Sequence, residues 1–214
     1  GESGLIHAPT GMGKTYAAAL PAMVGGGRGA PDDPPPLTML WVTPLRALAG
    51  DTGLALAEAA RMLAPHWTVD VRTGDSSDAA RARQARRLPT VLVTTPESLT
   101  LFLSRNDWRE RFAHLDARVV DEWHELLSSK RGVQVELARA RLAGLRPGLR
   151  VWGLSATLAN LAEAVAALVG PGGAAAARIV RGLDAKQVDI ATLAPPTIER
   201  FPWAGHIGVR LLPE

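Results

Sequence analysis

Short, continuously apolar runs, each followed by a stretch of helical periodicity, recur along this 214-residue chain. Gly4–Ala8, Leu37–Val42, Trp67–Val71, Thr90–Thr94, Arg118–Asp121 and Leu149–Leu154 read as strands. Several of them do not alternate apolar and polar residues, the pattern of a strand covered on both faces. Between them, Thr15–Val24, Pro44 to about Leu63, Ser76–Arg87, a segment opened by Pro96, Gly132–Ala143 and Leu158–Val169 read as helices. Pro96 suits a first helical turn, where its missing N–H is harmless. Ser76 or Ser77 supplies an N-cap for the helix that follows. Arg178–Arg181 and Gln187–Ile190 are further strand candidates, and Gly25–Pro36 is a Gly/Pro loop. Strands alternating with helices demand right-handed crossovers, so the expected class is α/β, a parallel sheet with helices on both faces. Ligands of such sheets bind beyond the carboxyl ends of the strands, and the residues at strand exits are the candidates for chemistry.

The first exit carries Ala8-Pro9-Thr10-Gly11-Met12-Gly13-Lys14-Thr15 between a strand and a helix. Glycines let the backbone curl so that successive N–H groups face phosphate oxygens, and the helix N-terminus adds a favourable partial charge. In this pattern Lys14 reaches the outer phosphates and the Thr15 hydroxyl can coordinate Mg²⁺. Only three of the 24 basic residues are lysines, and Lys14 is one of them. A later exit, Val119-Val120-Asp121-Glu122-Trp123-His124, ends an apolar strand in two adjacent acids. There Asp121 suits a Mg²⁺ ligand and Glu122 a group that accepts a proton from attacking water. A third exit, Leu154-Ser155-Ala156-Thr157, offers two hydroxyls that suit either a helix cap or a relay beside a nucleotide.

Two exits have the form Thr-Pro, at Thr43-Pro44-Leu45-Arg46 and Thr95-Pro96-Glu97-Ser98, and Arg72-Thr73-Gly74-Asp75 is a turn at another. Hydroxyls, free N–H groups and Arg46 at a sheet edge suit contacts with a phosphate backbone, and equally suit plain helix capping. Arg81, Arg83, Arg86 and Arg87 form a basic cluster, with Arg83 and Arg87 on one helical face; a solvated face is the simpler reading. The formal net charge of +3 permits nucleic-acid binding without arguing for it.

Several classes drop out. The chain has no cysteine, which removes disulfide frameworks, thiolate metal sites and cysteine nucleophiles and fits a reducing, cytoplasmic setting. No His-Glu-x-x-His spacing and no nucleophile elbow occur. No apolar run is long enough to cross a bilayer, so no membrane partner is expected.

In order and content these motifs resemble the first RecA-like lobe of superfamily 2 helicases of the DExH-box branch. Ala8–Thr15 looks like motif I, Thr43–Ala49 like motif Ia, Thr95–Leu99 like motif Ib, Asp121-Glu122-Trp123-His124 like motif II and Ser155-Ala156-Thr157 like motif III. More narrowly, Asp121–Leu127 followed by Ser129-Lys130-Arg131-Gly132-Val133-Gln134 is similar to ligase-associated helicases of the Lhr (large helicase-related) family, as is Pro196–His206. Ala8 departs from the strict motif, which has glycine there.

The resemblance implies a RecA-like P-loop NTPase domain over residues 1–190 and a linker or arm over 191–214 that leads to a second lobe. It implies ATP and Mg²⁺ as cofactors, with Thr10, Gly11, Met12, Gly13, Lys14 and Thr15 around the phosphates. Thr15 and Asp121 would hold the metal, and Lys14, Asp121, Glu122 and His124 would carry catalysis. His124 would couple the nucleotide to Ser155 and Thr157, and Thr43, Arg46, Gly74, Asp75 and Thr95 would face nucleic acid. The activity implied is ATP-driven 3′-to-5′ translocation on single-stranded DNA in repair, with RNA or a DNA–RNA hybrid as alternative tracks. A DNA ligase and a phosphoesterase or nuclease would be functional neighbours. The adenine-reading segment is expected upstream of Gly1 and the arginine fingers in the second lobe. A nucleotide-gated binding module without motor activity remains the alternative. A different P-loop enzyme such as a kinase fits less well, because no acceptor-binding lid is evident.

Overall fold

The structure, a computed structural model, describes residues 2–25, 33–170 and 172–182. These belong to one compact unit, Gly1–Leu183. The strand expected at Gln187–Ile190 and the arm from Leu193 onward lie outside the described residues.

Seven strands form one sheet: β1 (Gly4–His7), β2 (Met39–Val42), β3 (Val69–Arg72), β4 (Val91–Thr94), β5 (Ala117–Val120), β6 (Arg150–Ser155) and β7 (Arg178–Arg181). Their spatial order is β3-β4-β2-β5-β6-β1-β7, and every pairing is parallel. The helices are α1 (Lys14–Gly25), α2 (Arg46–Leu63), α3 (Asp78–Arg86), α4 (Pro96–Leu103), α5 (Trp108–Arg111), α6 (Trp123–Leu127), α7 (Lys130–Leu145) and α8 (Leu161–Val169).

The continuous apolar runs are explained by two separate cores. Successive strand residues point to opposite faces. Met39 and Trp41 of β2 join Ala19 and Met23 of α1 and Leu56 and Ala60 of α2 on one face. Leu40 and Val42 join Leu99 and Phe102 of α4, Leu142 of α7 and Leu168 of α8 on the other. Both faces are dry, so β2, β4 and β5 are buried along their whole length. The expected α/β class with helices on both faces is what the chain adopts.

Several boundaries differ from the sequence reading. Helix α2 begins at Arg46, not Pro44, because Leu45 is extended (φ −122°, ψ 143°) and serves as N-cap. Strand β3 begins at Val69, since the Trp67 N–H turns back to Ala64 O at 2.8 Å. Helices α5 and α6 have no counterpart in the periodicity; each is about one turn long.

One side chain violates the apolar rule. Arg118 of β5 is fully buried, with Nη1 donating to Val135 O at 3.4 Å and Nη2 to Leu168 O at 3.2 Å. Its Nε has no partner, and among the described residues no carboxylate pairs with it. Burial, reinforced by the charge of Arg139, pulls its pKa down to about 9.

A candidate nucleotide site and nucleic-acid edge

The strand order divides the carboxyl edge of the sheet into two halves. The exits of β5, β6 and β1 are adjacent and carry Asp121–Glu122, Ser155 and the loop from Ala8 to Thr15. The exits of β3, β4 and β2 are adjacent and carry Gly74–Asp75, Thr95 and Thr43. The two sets of residues read from the sequence thus separate in space, and they meet where β2 pairs with β5.

In the first half, Gly11 (φ 82°) and Gly13 (φ 73°) take the left-handed backbone that side chains disfavour. This curls the loop, and Thr10, Gly11, Met12 and Gly13 are exposed along it. Lys14 is buried, its Nζ donating to Ala8 O at 2.7 Å and Pro9 O at 3.1 Å. Thr15 follows in the first turn of α1, half-buried.

Asp121 is buried at the end of β5. One carboxylate oxygen accepts from the Glu122 N–H at 2.9 Å, and the other faces the Trp41 indole N–H at 3.4 Å. Burial, and next the charge of Glu122, raise its pKa, while the Glu122 N–H, Trp41 and the nearby Lys14 charge pull the other way. Glu122 stands in the left-handed region (φ 43°, ψ 49°), alone among the described non-glycine residues. Such a conformation costs about 1–3 kcal/mol and is characteristic of functional turns. It reverses the chain between β5 and α6. The Glu122 carboxylate lies 3.5 Å from His124 Nδ1.

His124 Nδ1 is 3.0 Å from Ser155 Oγ, so the exits of β5 and β6 are joined by a hydrogen bond. Thr157 is exposed, and only its carbonyl approaches Ser155 Oγ, at 3.5 Å. The structure therefore brings Ser155 to His124 but not the Thr157 hydroxyl.

In the second half both threonine hydroxyls are spent on local bonds, and Thr95 is a cap. Thr43 and Thr95 are buried. The Thr43 hydroxyl donates to Leu45 O at 2.9 Å, and the Thr95 hydroxyl caps α4 by accepting from Ser98 N at 3.5 Å. Arg46 is exposed and pairs with Asp75 at 2.7 Å, its guanidinium lying against Gly74. The basic cluster turns out to be partly committed to the fold: Arg81 donates to Gly74 O and Ser76 O, Arg83 pairs with Asp70, and Arg87 with Asp33. Two residues the sequence did not single out join the edge. Trp41 reaches Asp121 from the neighbouring strand, a contact that depends on strand order. Arg131 reaches Glu97 and Pro44 O from α7.

The residues fit a magnesium nucleotide. The loop presents backbone N–H groups beside an ammonium, and Thr15 and Asp121 are the oxygen donors Mg²⁺ takes alongside substrate phosphates. Among the described residues no helix is long and apolar enough to cross a membrane.

A family model described as DEAD/DEAH box helicase matches residues 1–165. The chain is 36% identical over 177 residues to "ATP-dependent helicase Lhr-Core protein 2" of Thermococcus barophilus, covering 76% of this chain and 20% of the relative. It is 37% identical over 207 residues to "Lhr helicase/probable uracil glycosylase" of Mycolicibacterium smegmatis, covering 91% of this chain and 13% of the relative. The solved structure of Mycobacterium smegmatis helicase Lhr bound to ssDNA and AMP-PNP superposes with a TM-score of 0.73 at 35% identity, over 88% of this chain and 25% of that one. The chain thus spans a quarter or less of the length of these relatives, within their first RecA-like lobe.

Proposed function

The chain belongs to the DEAD/DEAH box helicase family, and from that premise we propose that it is the ATP-binding lobe of a motor that moves 3′-to-5′ along single-stranded DNA in DNA repair. The observation that carries this reading is the divided edge: one half gathers an ammonium, two acids and a hydroxyl, and the other gathers the exposed Arg46–Asp75 pair, Gly74 and two threonines on adjacent strand exits. The Mycobacterium smegmatis Lhr structure, which holds both ssDNA and AMP-PNP, supports placing both ligands on this edge.

ATP and Mg²⁺, when bound, supply the phosphoanhydride to be broken and the neutralisation of charge on its oxygens. The chain's own residues supply the rest. Backbone N–H groups of the loop from Thr10 to Thr15 and the Lys14 ammonium bind the phosphates. Thr15 Oγ1 and the Asp121 carboxylate would hold the metal. The Glu122 carboxylate takes the proton of the attacking water. His124 transmits the state of this half to β6 through Ser155 Oγ. Thr43, Arg46, Gly74, Asp75 and Thr95 form the nucleic-acid half, with contacts to the sugar-phosphate backbone that hold a strand without reading its bases.

Residues 1–190 are read as this lobe and 191–214 as the arm toward a second lobe that supplies arginine fingers, worth roughly 10³–10⁵ in rate. The greater length of the relatives supports that arrangement. A DNA ligase and a phosphoesterase or nuclease are the proposed functional neighbours, in the cytoplasm.

The test compares ATP hydrolysis by the intact protein with single-stranded DNA, single-stranded RNA and no nucleic acid, and follows displacement on duplexes carrying 3′ or 5′ tails. Stimulation by DNA with unwinding from 3′ tails is expected, and Lys14→Ala abolishes Mg²⁺-dependent nucleotide binding. Hydrolysis unresponsive to either nucleic acid would instead mean a nucleotide-gated binding module.

A further inference from the structure

The segment Ser129-Lys130-Arg131-Gly132 has no part in the chemistry above, yet it is built with care. Helix α6 starts directly after Glu122, and its Trp123 is locked by an indole N–H bond to Ala164 O at 2.8 Å. Ser129 caps α7, its Oγ accepting from Gly132 N at 3.2 Å and donating to Leu126 O at 2.9 Å. At Gly132 a Cβ would stand 2.0 Å from Leu126 O, so the start of α7 lies on the end of α6 at a distance only glycine allows. The backbone at Arg131 is thereby fixed relative to the end of β5.

From that base the Arg131 side chain crosses to the other half of the edge. Nε pairs with Glu97 Oε1 at 2.6 Å, and Nη1 donates to Pro44 O at 3.2 Å. Pro44 directly follows Thr43, and Glu97 is the second residue of α4, two after Thr95. One guanidinium therefore touches the exits of β2 and β4 while anchored beyond the exit of β5. Burial alone would raise the Glu97 carboxyl, but its own backbone N–H, Arg131 and Thr95 hold it below the ordinary range, so the pair is ionised at neutral pH. Both partners are about half exposed (48% and 47%), and ion pairs at that exposure add little to stability. The bridge is better explained by geometry than by folding energy.

We propose that Arg131 is a positioning residue that couples the two halves of the edge, transmitting the state of the Asp121–Glu122 exit through α6 and α7 to the Thr43 and Thr95 exits. The inference rests on the reading that one half holds nucleotide and the other nucleic acid. A planar fork serves two acceptors in different directions at once; a lysine ammonium in its place would not hold both in the same geometry.

The test measures, in the intact protein, the affinity for single-stranded DNA with and without a magnesium-bound non-hydrolysable ATP analogue, and the analogue's affinity with and without DNA. The two ratios must agree, and coupling of this kind is typically about 5- to 150-fold. Arg131→Gln is expected to lower the ratio about threefold or more, with analogue affinity in the absence of DNA and melting temperature both unchanged. Arg131→Lys should do the same, and Glu97→Gln, which cuts one arm only, should fall between. A wild-type ratio of one defeats the functional reading itself. A coupled wild type matched by all three variants overturns the role of Arg131 alone. So does a variant that loses stability and weakens both ligands equally, since Arg131 would then be a brace of the fold.

Discussion

Replacing Arg118 with methionine is expected to stabilise this protein. Arg118 is fully buried, and its pKa is pulled down from the ordinary arginine range to about 9, chiefly through loss of water. At about 1.4 kcal/mol per pH unit, holding the charge there opposes folding by about 5 kcal/mol. Against this stand two charge-assisted hydrogen bonds, at 3.4 and 3.2 Å, both long. Taken near the low end of about 1.5–3 kcal/mol each, they recover about 3 kcal/mol. The balance is about 2 kcal/mol in favour of an unbranched apolar side chain, within the roughly 1–4 kcal/mol found when buried ionic groups give way to well-packed ones. For a domain of this size that is about 4–8 °C in melting temperature. The assay is thermal or urea unfolding of Arg118→Met beside wild type, repeated from neutral pH to about pH 10. The sign of the pH effect is fixed. With the folded pKa lowered, the unfolded chain binds more protons above pH 9, so wild-type stability rises with pH there. The advantage of methionine should therefore shrink as the pH passes the folded pKa. A variant that melts below wild type at neutral pH refutes the reasoning, because the carbonyl contacts would then outweigh desolvation.

Two further perturbations follow from the site. Asp121→Asn should raise the melting temperature at neutral pH while abolishing Mg²⁺-dependent nucleotide binding, because burial and Glu122 raise the Asp121 pKa and the charged form opposes folding; the gain should vanish as the pH falls below the folded pKa and wild-type Asp121 becomes neutral. Gly132→Ala should destabilise by about 1–3 kcal/mol in urea titration, since displacing the Leu126 carbonyl outweighs the roughly 1 kcal/mol by which alanine favours a helix; a neutral or stabilising result would show that α6 and α7 can part at no cost.

Much of this architecture was legible because the signals are local. The runs Met39–Val42 and Val91–Val93 are apolar and short enough to announce buried strands, and the glycines around Lys14 announce the loop. What escaped was set by partners distant in sequence. Arg118 reads as the polar start of a strand, and its burial comes from α7 and α8, 17 and 50 residues on. Trp41 reads as core, and it is core, but its N–H meets a carboxylate 80 residues away. Helix α6 was hidden because its start needs a glutamate in a left-handed turn, which no propensity favours. Thr43 and Thr95 were ambiguous between caps and nucleic-acid contacts for a reason the structure makes concrete: the Thr95 hydroxyl caps α4, the Thr43 hydroxyl bonds Leu45 O, and Arg46 is the side chain the edge exposes.

The position of β6 has a consequence for how the protein comes into being. Among the described residues, strand β1 pairs with β6 and β7, and Gly4 finds its partners at Trp152 and Arg178. During synthesis β1 is therefore without either of these partners until β6, about 150 residues later, has been made. At about 5–20 residues per second, that wait lasts roughly 10–30 s. A nascent chain ending just past His124 already contains both Lys14 and Asp121, yet has nothing to set them side by side. β6 is the wedge that joins the β3-β4-β2-β5 block to β1, so on the proposed reading nucleotide cannot stabilise any intermediate that precedes its insertion, and the proposed nucleotide site is among the last parts of this domain to exist.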